Sequence, residues 1–143
     1  LRVVALSALK CFKAFDPYLV GSVLYGTATG FSEIVLHLFS DEVERLSRFL
    51  IEAKIKYRLD EVNLKVTRHE RISFSKFLFV MNELEYEAVV LPLVHRAHPP
   101  LSPLDQKPYL RANAKQLVQI MADEEMFKVD DRSLLRPASS EYE

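Results

Sequence analysis

From residue 32 to residue 39 the chain alternates, with Ile34, Leu36 and Leu38 on one side of an extended backbone and Glu33, Val35 and His37 on the other. Only a β-strand turns that spacing into a continuous apolar face, because successive strand side chains point to opposite sides. The next residues change period. Ser40 offers a side-chain oxygen as a helix cap, and Asp41, Glu42 and Glu44 bring negative charge to the first turn. Val43, Leu46, Phe49 and Leu50 follow as an apolar stripe, so a helix is expected over residues 41–53. A one-faced strand running straight into an amphipathic helix points to a layered α/β fold, in which the helix stripe covers the strand's apolar side.

The flanking segments extend this layout. Leu1, Val4, Ala5, Ala8, Leu9, Phe12 and Phe15 lie on one helical face with Arg2, Lys10 and Lys13 outside it, and Asp16-Pro17 ends that helix, expected over 1–15. Residues 18–24 read as a short strand that turns abruptly at Gly21-Ser22. Of the chain's three glycines, the other two, Gly26 and Gly30, fall between this strand and the next. Strands are expected over 56–66, 72–81 and 85–91, joined by polar turns at Arg68-His69-Glu70 and Asn82-Glu83. Pro92, Pro99, Pro100, Pro103 and Pro108 then interrupt regular structure, and helical spacing returns over 110–126 through Ala114, Leu117, Val118 and Met121. The last residues, Ser139-Ser140-Glu141-Tyr142-Glu143, are expected to fray. This gives an α/β core over 1–92, and a Pro-rich connection, one helix and an acidic tail over 93–143, packed on or extending from the same domain.

Composition narrows the function classes. At 143 residues and 49% apolar content the chain can bury a core without a disulfide, and its single Cys11 has no partner within it. A reducing, cytoplasmic setting is therefore expected. With 19 Lys and Arg against 20 Asp and Glu, bulk charge does not draw the chain onto nucleic acid or an anionic membrane. Charge is nevertheless uneven: residues 54–76 hold seven bases and three acids, and residues 122–143 three bases and seven acids. No apolar run approaches the roughly 20 residues that span a bilayer. The first residue is Leu1, inside an expected helix, which fits a piece of a longer protein.

The order Gly21-Ser22, a loop carrying Gly26 and Gly30, then Glu33-Ile34-Val35-Leu36 on a strand resembles the nucleotidyltransferase superfamily of DNA polymerase β type. That family's pattern is Gly-Ser followed about ten residues later by acidic-apolar-acidic-apolar. The resemblance extends through the later strands to about Pro92, with the run from Leu84 to Pro92 resembling the strand that carries the third carboxylate. The layout also looks like a bacterial family of truncated nucleotidyltransferase-like proteins. The resemblance implies a mixed, twisted sheet with helices packed mainly on one face.

It also implies a site. Carboxylates at i and i+2 of a strand project from one face and can converge on a pair of Mg²⁺ ions, a neighbouring strand adds a third, and the Gly-Ser turn contacts phosphate. Here Glu33 holds the first acidic position, Val35 the second, and Glu87, with Glu85 on its face, could hold the third; Gly21 and Ser22 would bind nucleotide. Valine has no lone pair, so Mg²⁺ would be held, if at all, by Glu33 and Glu87 alone.

The same residues have plainer readings. Glu85 and Glu87 could simply face solvent, Ser22 could be the polar half of a tight turn, His37 a half-exposed sheet residue and Cys11 a small core residue. His95 and His98 have a His-x-x-His spacing but lie in a Pro-bracketed loop.

Three functions follow. The favoured one is a nucleotidyltransferase-like module with a degenerate metal site that binds nucleotide or regulates without transfer activity. Against it stand an active, metal-dependent nucleotidyltransferase using a nucleoside triphosphate, and a non-nucleotide interaction domain. The Pro-rich arm could hold a protein partner or a second copy of the chain.

Overall fold

A computed structural model describes residues 1–28 and 33–135. The expected frayed terminus and the end of the glycine-bearing segment, residues 29–32 with Gly30 and Ser32, lie outside the described residues. Five strands make one mixed sheet: β1 (Tyr18–Val20), β2 (Ile34–Phe39), β3 (Tyr57–Lys65), β4 (Arg71–Met81) and β5 (Leu84–Leu91), in the spatial order β1-β2-β5-β4-β3. β2 and β5 run parallel and every other neighbouring pair is antiparallel. The helices are α1 (Arg2–Cys11), continued by a 3₁₀ turn at Lys13–Phe15, the single turn α2 (Ser22–Tyr25), α3 (Glu44–Glu52) and α4 (Ala114–Leu135). The chain is thus α/β, and no described helix is long and apolar enough to cross a membrane.

The alternation of β2 decides which side is the main core. Ile34, Leu36 and Leu38 are all fully buried, and with Phe77 of β4 and Ala88 and Val90 of β5 they make an apolar first face. Ala5, Ala8 and Leu9 of α1, Leu46 and Leu50 of α3, and Leu117 of α4 close over it. Phe12, just past the end of α1, packs with its ring tilted against Phe49 and Phe79, at centroid separations of 5.2 and 5.9 Å, joining α1, α3 and the sheet.

The second face is covered at one end only, by the Pro-rich arm. The arm leaves β5 through a 3₁₀ turn at Leu93–Arg96 and reaches the edge strand β3, where Leu101 N–H donates to the Lys65 carbonyl at 2.8 Å. It then crosses back to β1, where Leu19 and Ala112 exchange backbone hydrogen bonds of 2.8 and 3.0 Å. Below it lies a second, smaller core of Phe39, Leu64, Phe74, Val89 and Leu91. The arm therefore packs on its own sheet.

Several expectations need correction. The strand expected over 18–24 ends at Val20, because Gly21 takes φ +82° and ψ −161°, a conformation open to glycine, and Ser22–Tyr25 then form a helical turn. Ser40 does not cap α3. Its Oγ accepts from Glu42 N–H at 3.1 Å and donates to the Glu42 carbonyl at 2.8 Å, fixing a turn that delays the helix to Glu44. Asp41 instead accepts from Leu93 N–H at 3.0 Å, anchoring the start of the arm. Cys11 is exposed rather than in the core, since it lies outside the arc of Ala5, Ala8, Leu9 and Phe12. His37 is fully buried because the arm covers its end of β2. The helix expected over 110–126 starts at Ala114 and buries Leu117, while Val118, a third of a turn further round, is exposed.

Candidate functional site

The part of the second face that the arm leaves open is built from four strands. In register, Val35 of β2 lies opposite Glu87 of β5, Glu87 opposite Leu78 of β4, and Lys76 of β4 opposite Asp60 of β3. Strand alternation sends Val35, Glu87, Lys76 and Asp60 to the same side, away from the main core. The Gly21 turn ends β1 directly beside them: a Cβ added to Gly21 would lie 3.8 Å from the Val35 side chain. Val35 and Glu87 therefore share a face, with Gly21 ending β1 beside Val35 and Ser22 opening the following helical turn.

Glu33 precedes β2 on this side, where it lines a depression of about 250 Å³ with Arg58, Leu78, Val80 and Glu85. Larger depressions include one of about 580 Å³ against Arg2, Gly26 and Glu124, one of about 370 Å³ beside Lys10 and Asn113, and one of about 530 Å³ between Lys54, Tyr57 and Met81 that shares Arg58, Leu78 and Val80 with the Glu33 depression. Neither these nor the Glu33 depression is lined by Val35 or Glu87, so size alone does not locate the chemistry.

Glu87 is the most perturbed carboxylate on this face. Burial pushes its pKa up, Lys76 pulls it partly back, and the negative charges of Glu33 and Asp60 push it up further. Its charged partner is Lys76, whose Nζ stands 3.7 Å from Glu87 Oε1, with both side chains about four-fifths buried, at 20% and 21% exposure. At that separation the contact is an ion pair rather than a tight hydrogen bond. Around the pair the face carries four carboxylates, Glu33, Asp60, Glu85 and Glu87, and two cations, Arg58 and Lys76.

The arm forms one wall. Tyr109 packs edge-on against His37 with ring centroids 4.7 Å apart, and burial together with the negative charge of Glu87 raises its phenol pKa. Arg111 lies over the rings of Tyr18 and Phe39, at 4.6 and 5.4 Å, and donates to the carbonyls of His95 and Arg96. Burial, aided by Arg111, lowers the His37 pKa to about 3, so its imidazole is neutral and offers no positive charge to a ligand. His95 is occupied locally: its Nδ1 donates to the His98 carbonyl at 3.1 Å and its ring meets Phe74 edge-on.

A pair of Mg²⁺ ions, as the resemblance implies, does not fit the residues present. The position between Glu33 and Glu87 is a hydrocarbon side chain, Val35, and the carboxylate that remains is already paired with an ammonium. Among the described residues no three His, Cys, Asp or Glu side chains are grouped to hold a metal ion. Sequence reasoning singled out Gly21, Glu33, Val35 and Glu87 but missed Lys76, Asp60 and Tyr109. A signal for Lys76 was there: it is the one charged residue at the alternate position between Phe74 and Leu78, where the strand's own pattern calls for an apolar side chain. Compared with known proteins, the chain matches no family model and no curated protein sequence.

Proposed function

We propose that this chain is a nucleotidyltransferase-like domain with a degenerate metal site, serving as a nucleotide-binding or regulatory module without transfer activity. The observation that carries the reading is the register of Val35 against Glu87 beside the Gly21-Ser22 turn. The family's chemistry needs convergent hard oxygen ligands at these positions, and half of this pair is a branched hydrocarbon. The second reading, a non-nucleotide interaction domain, is favoured by the charge of the open face, where four carboxylates outweigh two cations and repel a bare triphosphate.

Calorimetric titration with ATP and Mg²⁺ tests both. The wild type is expected to bind weakly and to turn over no nucleotide. Val35→Asp restores an oxygen ligand opposite Glu87 and is expected to tighten Mg²⁺-dependent ATP binding by about tenfold or more. Absence of saturable binding by either protein moves the reading to the interaction domain, and Mg²⁺-dependent turnover by the wild type overturns the degenerate site.

A further inference from the structure

The misfit between the residues present and a metal pair has a specific cause in the structure, beyond the loss of a ligand at Val35. β4 crosses the centre of the open face and contributes a lysine diagonal to Glu87, two residues from Leu78, its partner in register, and β3 pairs Asp60 with that lysine in register. The ammonium pairs with Glu87, while the negative charges of Glu33 and Asp60 act on that same carboxylate from further away. Lys76 is four-fifths buried, which a lysine tolerates only when its head group is paired, and its stem lies between Phe74 and Leu78 along β4.

We propose that Lys76 is the resident cation of this site: its ammonium supplies to Glu87 the positive charge that a divalent ion would supply at the position the resemblance implies, and so keeps divalent cations off that carboxylate. This rests on the nucleotidyltransferase-like reading for its comparison with a metal site, but the electrostatics are independent of it. A dication brought to Glu87 in the wild type must approach an ammonium held 3.7 Å from the same carboxylate, and that repulsion opposes most of what one carboxylate can gain. Val35 adds no ligand to offset it. The site is consequently metal-independent by construction, and any ligand it takes must tolerate an ion pair at its floor.

The test uses Mn²⁺ alone as the probe, followed by electron paramagnetic resonance of the free ion. Wild type is compared with Lys76→Met, Lys76→Gln and the double variant Lys76→Met/Glu87→Gln, with circular dichroism as the check that each is folded. Wild type is expected to show no saturable Mn²⁺ binding through the low millimolar range. Either single variant is expected to bind at least about tenfold more tightly, the effect of removing a unit charge a few ångströms from a dication even in a water-like dielectric. The double variant loses that gain. Folded Lys76 variants that bind Mn²⁺ no better than wild type overturn the proposal. So does wild-type protein that binds Mn²⁺ saturably at submillimolar concentration and loses it with Glu87→Gln, a measurement that does not depend on the lysine variants folding. Titration of the same proteins with ATP and Mg²⁺ reports separately on nucleotide binding. A gain of Mn²⁺ affinity without ATP binding leaves the resident cation standing and removes the nucleotide reading. ATP binding without the Mn²⁺ gain does the reverse.

Discussion

His37 lies with Phe39 on the part of β2 that the arm covers, and its protonation is tied to that cover. In the unfolded chain its imidazole titrates at about 6.5, and in the fold at about 3, because burial and the Arg111 guanidinium both oppose a second positive charge. The unfolded state therefore binds the proton first as pH falls, and the stability this histidine contributes is present above about pH 6.5 and lost progressively toward pH 3. Between those limits the slope approaches one proton, about 1.4 kcal/mol per pH unit. Glu87 acts in the opposite sense: its raised pKa favours the fold at low pH, and that contribution is lost as pH rises through its folded value. Comparing wild type with His37→Leu cancels the Glu87 effect and isolates the histidine. Urea unfolding at pH 7, 6 and 5 is expected to show the wild type losing stability relative to His37→Leu at each step down; parallel curves would mean that the imidazole stays charged or solvated. Half-exposure was the natural expectation for this residue, since nothing within several residues of His37 announces that Tyr109 and Arg111 will lie on it.

Among the elements, those whose periodic pattern is local were readable and those held by distant contacts were not. The strands expected over 56–66, 72–81 and 85–91 agree with β3, β4 and β5 to within a residue or so at each end, because polar turns separate them and β4 and β5 are rich in aromatic or β-branched residues. The alternation of β2 correctly put Ile34, Leu36 and Leu38 toward the core, and the same rule brought Val35 and Glu87 to one face. The start of α3 was missed because Ser40, a good cap by type, bonds within its own turn instead. Lys76 was missed because residues 54–76 are rich in charge and its contact with Glu87 depends on how β4 meets β5. At this scale the sharpest test is Phe12. It is fully buried and meets Phe49 of α3 and Phe79 of β4, so Phe12→Ala removes a ring that three elements share and should cost about 3–5 kcal/mol. A thermal melt unchanged by the substitution would place α1 at the periphery of the fold.

For the molecule as a whole, the question is whether residues 1–92 stand as a domain without the arm. All five strands and the first three helices fall within them, so secondary structure alone suggests a complete unit. The packing argues otherwise. Leu117 of α4 is fully buried in the main core, and Ala112 hydrogen-bonds to both polar groups of Leu19, closing the free edge of β1. The smaller core beneath the arm contains Phe39, Val89 and Leu91, which would otherwise meet water on the exposed side of the two parallel strands. A parallel pair open to solvent on one side is uncommon, because its residues are apolar on both faces. Arg111 adds stacking over Tyr18 and Phe39, contacts worth about 0.5–1 kcal/mol each when exposed and more when desolvated. A chain ended after Pro92 is therefore expected to keep far-ultraviolet ellipticity but lose its cooperative melt and its near-ultraviolet aromatic signal, and to bind a hydrophobic dye through the uncovered strands. Supplying residues 93–143 as a separate peptide should restore part of the cooperative transition, because the Leu19–Ala112 pairing and the Leu117 socket remain available to it. If the shortened chain melts cooperatively with native aromatic ellipticity, the arm is an appendage, the second face is open along its whole length in the isolated core, and His37 returns to the exposure that its sequence position first implied.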